Sequence, residues 1–278
     1  MKAKLHGENR IREFRRVAKE LTSKLSSCEG VVGIIFIGGL VRGFADKYSD
    51  LDIVVLVSGK DEQLRKKLYK FSPYAASQFG LDIDMEVHDA EDFRKRAWDE
   101  IDRWEFSKAK IVFDPHGVFG KILEEKLHMP KDHWTRRIAV LAEYLNWYCC
   151  PPKETVGTIA ESWISRRDLL SAHYCLNYSV DLLLKIIFAL NKEHLPAPKW
   201  RLFYSYNLEW LPENYRKLIK DTMKTSELST KEFDLRLRAI RKLWHSILPK
   251  AETETGLTTD RLSAYFVKKI LRIHVPQI

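Results

Sequence analysis

Two aspartates, Asp50 and Asp52, flank a leucine at the start of an apolar run that continues to Leu56. Residues i and i+2 of a strand point to the same face, so a strand here places both carboxylates side by side. Like charges in such positions repel each other and destabilise the strand. A divalent cation removes that repulsion, and Mg²⁺ binds carboxylate oxygens together with water and substrate phosphates. The pair therefore predicts a magnesium site.

A glycine turn precedes this acid pair. Gly38 and Gly39 have no side chains, so backbone N–H groups in the turn can come close to a phosphate. Arg42 follows the turn and can pair with a phosphate oxygen. Ser49 can cap a turn or orient the neighbouring Asp50. Solvent exposure alone also accounts for two acids on a strand face, but it does not account for the turn, the arginine and the serine beside them.

A second acidic stretch, residues 81–88, alternates between apolar and polar side chains. This period is typical of a strand with one buried face and one exposed face. Asp82, Asp84 and Glu86 share the exposed face. A third carboxylate from this strand, beside the first pair, would supply what a metal-dependent active site needs.

Helices and strands must position these groups. Apolar spacing and β-branched runs predict helices over 8–26 and 62–69, strands over 31–37, 50–56, 81–88 and 109–113, and a helix from Asp89 through Ile101. Pro73 interrupts the pattern before Gly80. Beyond about residue 118 only helical patterns remain, and they cover residues 134–147, 159–190 with a possible break, 215–222, 231–247 and 259–273. The predicted fold class is α+β, with the sheet in the first half and an all-helical second half.

Composition is that of a soluble protein with a sizeable core. Apolar residues make up 45% and charged residues 31% of the 278-residue chain, which excludes a disordered chain. The longest apolar run, residues 31–41, is too short and too rich in glycine to span a bilayer, and the first residues lack a signal-peptide core. We therefore predict a cytoplasmic protein without a membrane segment, in which the four cysteines are reduced structural thiols.

Positive charge is concentrated in the second half of the chain. Residues 1–128 carry 23 basic and 22 acidic side chains, a net charge of +1, and the remainder carries 24 and 16, a net charge of +8. Such a half can be a solvated helical surface, or it can face an anion such as a nucleoside triphosphate or a nucleic acid. Charge alone does not choose between these interpretations.

The glycine turn, the arginine, the Ser49-Asp50-Leu51-Asp52 run and the third acidic strand agree in order and spacing with one known pattern. Over residues 31–88 they resemble the DNA polymerase β-type nucleotidyltransferase superfamily, with looser agreement as far as Gly117. The family often has serine where Gly39 stands. Within the superfamily, a compact α+β domain followed by helices is similar to the aminoglycoside and lincosamide adenylyltransferases.

The resemblance implies a domain organisation and a set of catalytic residues. It implies a catalytic domain at 1–127 and a helical domain at 128–278 that clamps the substrate and the nucleotide. The segment Met85-Glu86-Val87 resembles the Leu-Glu-Val strand that carries the third acid in streptomycin-type enzymes. The implied catalytic residues and metal ligands are Asp50, Asp52 and Glu86, with Asp84 as the alternative to Glu86.

The resemblance also implies how a nucleotide binds. Its phosphates would contact Gly38, Gly39 and Arg42, with Ser49 close by. Lysines of the helical domain would complete the clamp, and the candidates are Lys185 and Lys199. Each lysine has a structural alternative, because Lys185 can extend from an apolar helix to solvent and Lys199 can be a surface residue after a proline turn.

The implied reaction uses two Mg²⁺ ions and ATP or another nucleoside triphosphate. The protein would move a nucleoside monophosphate, AMP in the leading hypothesis, onto a hydroxyl of a small molecule such as an aminoglycoside- or lincosamide-like antibiotic. The alternatives are transfer to an RNA end, which the basic half motivates, transfer to a protein side chain, and a non-catalytic relative that binds nucleotides. The sequence predicts neither the acceptor nor the oligomeric state.

Overall fold

The computed structural model of the chain describes residues 3–152, 157–258 and 261–262. They form two compact units, one of Lys4–His128 and a second of Ala3 together with the described residues from Met129 onward. The first unit contains a sheet with flanking helices, and the second, where described, contains helices and no strand. The predicted α+β class is confirmed.

The first unit, here called the sheet unit, alternates short helices with four strands. The strands are β1 Val31–Phe36, β2 Leu51–Val57, β3 Ile83–Asp89 and β4 Lys110–Phe113. The helices are α1 Ile11–Ser26, α2 Gly38–Arg42, α3 Glu62–Tyr69, α4 Phe71–Phe79, α5 Ala90–Lys95, α6 Glu100–Phe106 and α7 Val118–Leu127.

The sheet is mixed, with strand order β3-β2-β1-β4. Strand β1 runs antiparallel to both β2 and β4, whereas β2 and β3 are parallel. The β2–β3 register places Asp52 opposite Asp84 and Val54 opposite Glu86. The two acidic strands predicted from the sequence are therefore direct neighbours, with their acidic ends at the same level.

Both faces of the two central strands are buried, because their apolar residues are consecutive and do not alternate with polar ones. One face packs against α1 through Phe14, Val17 and Leu21. The other face packs against Phe93 and Phe119. Packing on both faces holds β2 in place, and with it Asp52, the second residue of the strand.

The second unit, here called the helical unit, is built around one long helix. Its helices are α8 His133–Tyr148, α9 Ile159–Ser165, α10 Leu169–Leu190, α11 Pro198–Ser205, α12 Tyr215–Met223 and α13 Thr230–Thr255. Helix α10 is long and apolar enough to cross a membrane, but 67% of its most apolar window is buried. That burial fits the core helix of a soluble protein. The four cysteines are buried free thiols.

The structure departs from the predicted elements at several places, among them α11, which was not predicted. The helix predicted from Asp89 through Ile101 is two helices, because Asp99 forms a capping box with Asp102 and starts α6. Pro73 does not interrupt a helix, since it lies in the first turn of α4, where its missing N–H has no intrahelical partner to lose. Helix α7 was not predicted. The helix predicted over 259–273 lies outside the described residues except for 261–262.

Candidate active site

Three carboxylates meet where β2 and β3 begin. Asp50 immediately precedes β2, Asp52 is its second residue, and Asp84 lies opposite Asp52 on β3. One oxygen from each carboxylate lies within 4.8 Å of the other two. The sheet register therefore gathers three like charges from two parallel strands, an arrangement that costs folding energy when no cation is bound.

The electrostatics of Asp52 reflect this crowding. The pKa of Asp52 is raised to about 7, with burial as the largest cause and the neighbouring carboxylates of Asp50, Glu105 and Asp84 as further causes. Burial also raises the pKa of Asp84, with additional repulsion from Asp50 and Glu86. Carboxyl groups whose pKa is raised by burial and by neighbouring acids are typical of a functional site that binds a cation.

Gly38 is required by the position of Asp52. Its backbone has φ +63°, and a Cβ atom placed on it would lie 1.8 Å from the carboxylate oxygen Oδ2 of Asp52. A side chain at position 38 would therefore occupy the place of that carboxylate. The glycine leaves bare backbone directly against the acid cluster, as the sequence predicted for a turn that accepts phosphate.

Gly39 is constrained from the other side. A Cβ atom there would lie 2.7 Å from the backbone oxygen of Phe44, which real Cβ atoms do not tolerate without a backbone shift. The serine that the resembling family often has at this position does not fit this loop as it stands. The missing hydroxyl is thus a consequence of how the chain returns from α2 to β2.

Glu86 lies on the same strand face as Asp84 but has a different partner. Its Oε2 atom is 2.7 Å from Nε2 of His88, and this hydrogen bond lowers the pKa of Glu86. It does not belong to the group of three clustered carboxylates. Between the two candidates for the third metal ligand, the geometry favours Asp84, the alternative, over Glu86, because register places Asp84 at the level of Asp52.

Arg42 has a contact that the sequence did not predict. Its guanidinium lies 3.5 Å from the centre of the Trp104 ring, and Nη2 donates a hydrogen bond of 2.9 Å to the backbone oxygen of Trp104. These contacts stabilise the packing of α2 on α6. Phosphate binding by Arg42 stays a prediction, and the structure adds a packing role.

Ser49 belongs to a tight turn. Its hydroxyl accepts a hydrogen bond from the backbone N–H of Asp46 and donates one to the Asp46 carboxylate. The turn fixes the backbone that leads into Asp50. Of the two predicted roles, capping a turn is the one that these hydrogen bonds support.

Lys185 and Lys199, the predicted clamp residues, both lie in the helical unit. Lys185 Nζ is 2.9 Å from a carboxylate oxygen of Asp181, four residues earlier on α10. Lys199 is exposed in the first turn of α11. Nucleotide binding by either lysine stays a prediction.

Sequence reasoning missed Glu105 and Trp104 of α6. Glu105 contributes to the raised pKa of Asp52, and Trp104 holds Arg42. Both lie between the helix predicted through Ile101 and the strand predicted over 109–113, where the sequence predicted no element. The Asp99 capping box was the available signal, because Asp at the N-cap with an acid three residues later marks a helix start.

Comparison with known families supports the predicted enzyme class. Residues 12–111 match the family model of the nucleotidyltransferase domain, a range that contains β1, β2, β3, the start of β4, the glycine turn and all three clustered carboxylates. The match supports a transferase of the nucleotidyltransferase type. It does not reach the helical unit, so the antibiotic adenylyltransferase subtype stays a prediction.

No curated protein matches this chain. Among solved structures, the chain is similar to a nucleotidyltransferase-like protein from Exiguobacterium sibiricum 255-15, with 11% identity, 91% of each chain covered and a TM-score of 0.44. It is also similar to a structure of a tri-AMPylated Shewanella oneidensis HEPN toxin in complex with MNT antitoxin, with 17% identity, 48% of this chain and 95% of that chain covered and a TM-score of 0.29. A toxin–antitoxin structure with AMP-PNP shows 15% identity, coverage of 48% and 97%, and a TM-score of 0.30.

Proposed function

We propose that the protein transfers a nucleoside monophosphate, most simply AMP from ATP, to a hydroxyl group of an acceptor. The observation that carries this proposal is the cluster of Asp50, Asp52 and Asp84 beside a two-glycine turn. Burial and neighbouring acids raise the pKa of Asp52 and of Asp84, which favours a bound cation, and bare backbone next to the cluster leaves room for phosphate. The match to the nucleotidyltransferase domain over these residues supports the same chemistry.

The donor set fits Mg²⁺, because it consists of carboxylate oxygens alone. Asp50, Asp52 and Asp84 would hold the metal, with two ions expected for this reaction. When bound, the ions polarise phosphate oxygens and stabilise the attacking and leaving oxygens of an in-line displacement at the α-phosphorus, from which pyrophosphate departs. The nearby glycine turn, through Gly38 and Gly39, would receive the phosphates.

Glu86 is the proposed proton acceptor for the hydroxyl of the acceptor molecule. It lies two residues after Asp84 on the same face of β3, and its hydrogen bond to His88 keeps its pKa low and its side chain ionised at neutral pH. A base positioned in this way typically contributes about 10²–10⁴ in rate. In this proposal Asp84 binds the metal, and Glu86 accepts the proton.

The acceptor is proposed to be a small molecule that carries a free hydroxyl, with aminoglycoside- and lincosamide-like antibiotics as the first candidates. The resemblance to antibiotic adenylyltransferases supports this class. The net charge of +8 in the second half of the chain supports an RNA end as the alternative. Lys185 and Lys199 are proposed to contact the nucleotide in either case.

Incubation with Mg²⁺ and nucleoside triphosphates labelled at the α-phosphate tests the proposal directly. The acceptors to supply are an aminoglycoside panel, a lincosamide and a short RNA, and the readouts are label transfer and pyrophosphate release. We expect transfer by the wild type and a loss of about 10³-fold or more in Asp52→Asn, since metal ligation is worth several kcal/mol. The matched control is Asp234→Asn, an exposed acid of α13, which should retain activity. Absence of both readouts with every acceptor would contradict the proposal.

A further inference from the structure

One face of α10 carries a row of aromatic and charged side chains. Tyr174, Tyr178, Asp181 and Lys185 follow each other at spacings of four, three and four residues, so they lie along one side of the helix. We call this row the α10 strip. Tyr174 is 74% exposed, and Lys185 Nζ lies 5.7 Å from the centre of the Tyr178 ring.

Helix α8 widens the aromatic end of the α10 strip. The Tyr148 ring lies 4.7 Å from that of Tyr178, and the Tyr144 and Trp147 rings lie 5.5 Å apart. Trp147 is 48% exposed. Single exposed aromatic residues are ordinary, but a group of rings on two packed helices is typical of a binding surface.

The other end of the α10 strip carries a surplus of positive charge. Asp181 accepts a hydrogen bond of 2.7 Å from Nη1 of Arg201, and it lies 2.9 Å from Nζ of Lys185. One carboxylate thus faces two cations. For a cationic ligand, the carboxylate of Asp181 is already neutralised by these two partners, whereas an anion meets their net positive charge.

The length of the α10 strip indicates what kind of anion fits. From Tyr174 to Lys185 the helix rises by about 16 Å, at roughly 1.5 Å per residue. Stacked bases are separated by only about 3.4 Å along a strand. The α10 strip is therefore longer than a single nucleotide requires and accommodates several. Aromatic rings that stack on bases, followed by cations that face phosphates, are the combination used to bind single strands.

We propose that the α10 strip, with Trp147 and Tyr148 beside it, binds single-stranded nucleic acid. Bases stack on the aromatic end, and phosphates face Lys185 and Arg201. This surface lies entirely in the helical unit and shares Lys185 with the proposed nucleotide contacts. The aromatic platform has no role in nucleotidyl transfer, so the inference goes beyond the proposed function. The net charge of +8 in the second half of the chain favours a polyanion over a neutral protein partner.

Fluorescence anisotropy of a labelled, unstructured RNA of about 12 nucleotides tests this proposal with the full chain. The double variant Trp147→Ala, Tyr174→Ala should bind on the order of 10–100-fold more weakly, because it removes two stacking platforms. The matched control is Tyr74→Ala, a 40% exposed tyrosine of the sheet unit, which should bind like the wild type. Lys185→Gln should lower the salt slope of log K by about 0.7, the value for one phosphate contact on a single strand.

Two comparisons separate this proposal from its competitors. Asp52→Asn should bind RNA like the wild type while losing transfer, so a failure of either proposal is seen independently. The proposal is overturned if no RNA binding occurs up to about 100 µM protein at low salt, or if the double variant and Tyr74→Ala bind alike. The proposal is also overturned if ATP, at a concentration equal to that of the RNA nucleotides, displaces the RNA fully. If the protein binds no RNA and the double variant abolishes its self-association, the surface binds a second copy of the chain and the proposal is wrong.

Discussion

The two units treat their carboxylates in opposite ways. In the sheet unit, Asp50, Asp52 and Asp84 face one another, and the charged groups that shift the Asp52 pKa are all acids. In the helical unit, Asp181 is held by Lys185 and Arg201 at 2.9 and 2.7 Å. The helical unit neutralises its acid with its own cations. The sheet unit leaves its acids in need of an external cation, which is the physical mark that separates a candidate metal site from a structural ion pair.

Glu86 gives the strongest test of this comparison, because it is an acid of the sheet unit that is paired within the protein, with His88. We expect Glu86→Gln to slow nucleotidyl transfer by about 10²–10⁴, the usual contribution of a general base, and to leave Mg²⁺ binding intact. Steady-state rates and Mg²⁺ titration of the same preparation check both halves. If Glu86→Gln loses Mg²⁺ binding, Glu86 is a metal ligand and the assignment of Asp84 as the third ligand is wrong.

The second test uses the steric contact between position 38 of the glycine turn and the Asp52 carboxylate. Gly38→Ala places a Cβ atom where the Asp52 carboxylate lies, and we expect activity to fall by about 10², as for misplacement of a reacting group by about 1 Å. Gly59→Ala is the matched control, because its φ of +83° imposes the same backbone strain but nothing lies within 4 Å of the added atom. Backbone strain should cost each variant about 1–2 kcal/mol of stability, and the contact with Asp52 should cost Gly38→Ala more than Gly59→Ala. Equal activity in the two variants would contradict the role of Gly38.

The raised pKa of Asp52 predicts how the stability of the metal-free protein depends on pH. The folded-state pKa of about 7 lies above the ordinary value of 3.8 for an aspartate, so between these two values the native state binds one proton more than the unfolded state. The stabilising contribution is complete below about pH 4 and is lost as pH rises toward 7, up to about 4 kcal/mol at about 1.36 kcal/mol per pKa unit. Urea unfolding in EDTA from pH 4 to 8 measures this loss. Asp52→Asn should flatten the profile, and an unchanged profile in that variant would count against the assignment.

The smallest effect is expected in the helical unit. Asp181→Asn removes the charge that Lys185 and Arg201 share, so the metal-free protein should lose about 1 kcal/mol of stability at pH 8. At the same pH, Asp52→Asn should raise the unfolding free energy, because it removes a repelled charge. Changes of opposite sign in the unfolding free energy of Asp181→Asn and Asp52→Asn would support the comparison between the two units. Changes of the same sign would contradict it.

Sequence periodicity predicted the position of Asp50 and Asp52 because a strand's two-residue repeat is local. It also predicted that residues 81–88 form an acidic strand, and the structure confirms a strand there. The choice between Asp84 and Glu86 was beyond reach, because both side chains share one strand face. The parallel register between β2 and β3 favours Asp84, and register is a long-range property that no local pattern encodes.

The surroundings of the site were less predictable than its acids. The stacking of Arg42 on Trp104 joins residues 62 positions apart, and only the packing of α2 on α6 reveals it. The tight space at Gly39 depends on the path of the loop at Phe44. By contrast, the helical class of the second half followed from apolar spacing alone, because amphipathic helices are defined by local repeats.

The central claim is that Asp50, Asp52 and Asp84 form the metal site of this protein. Calorimetric titration of Mg²⁺ into the nucleotide-free protein at pH 8 tests it most directly, with wild type, Asp84→Asn and Glu86→Gln measured side by side. We predict binding in the wild type and in Glu86→Gln and its loss in Asp84→Asn. Mg²⁺ binding that survives Asp84→Asn and disappears in Glu86→Gln would contradict the claim.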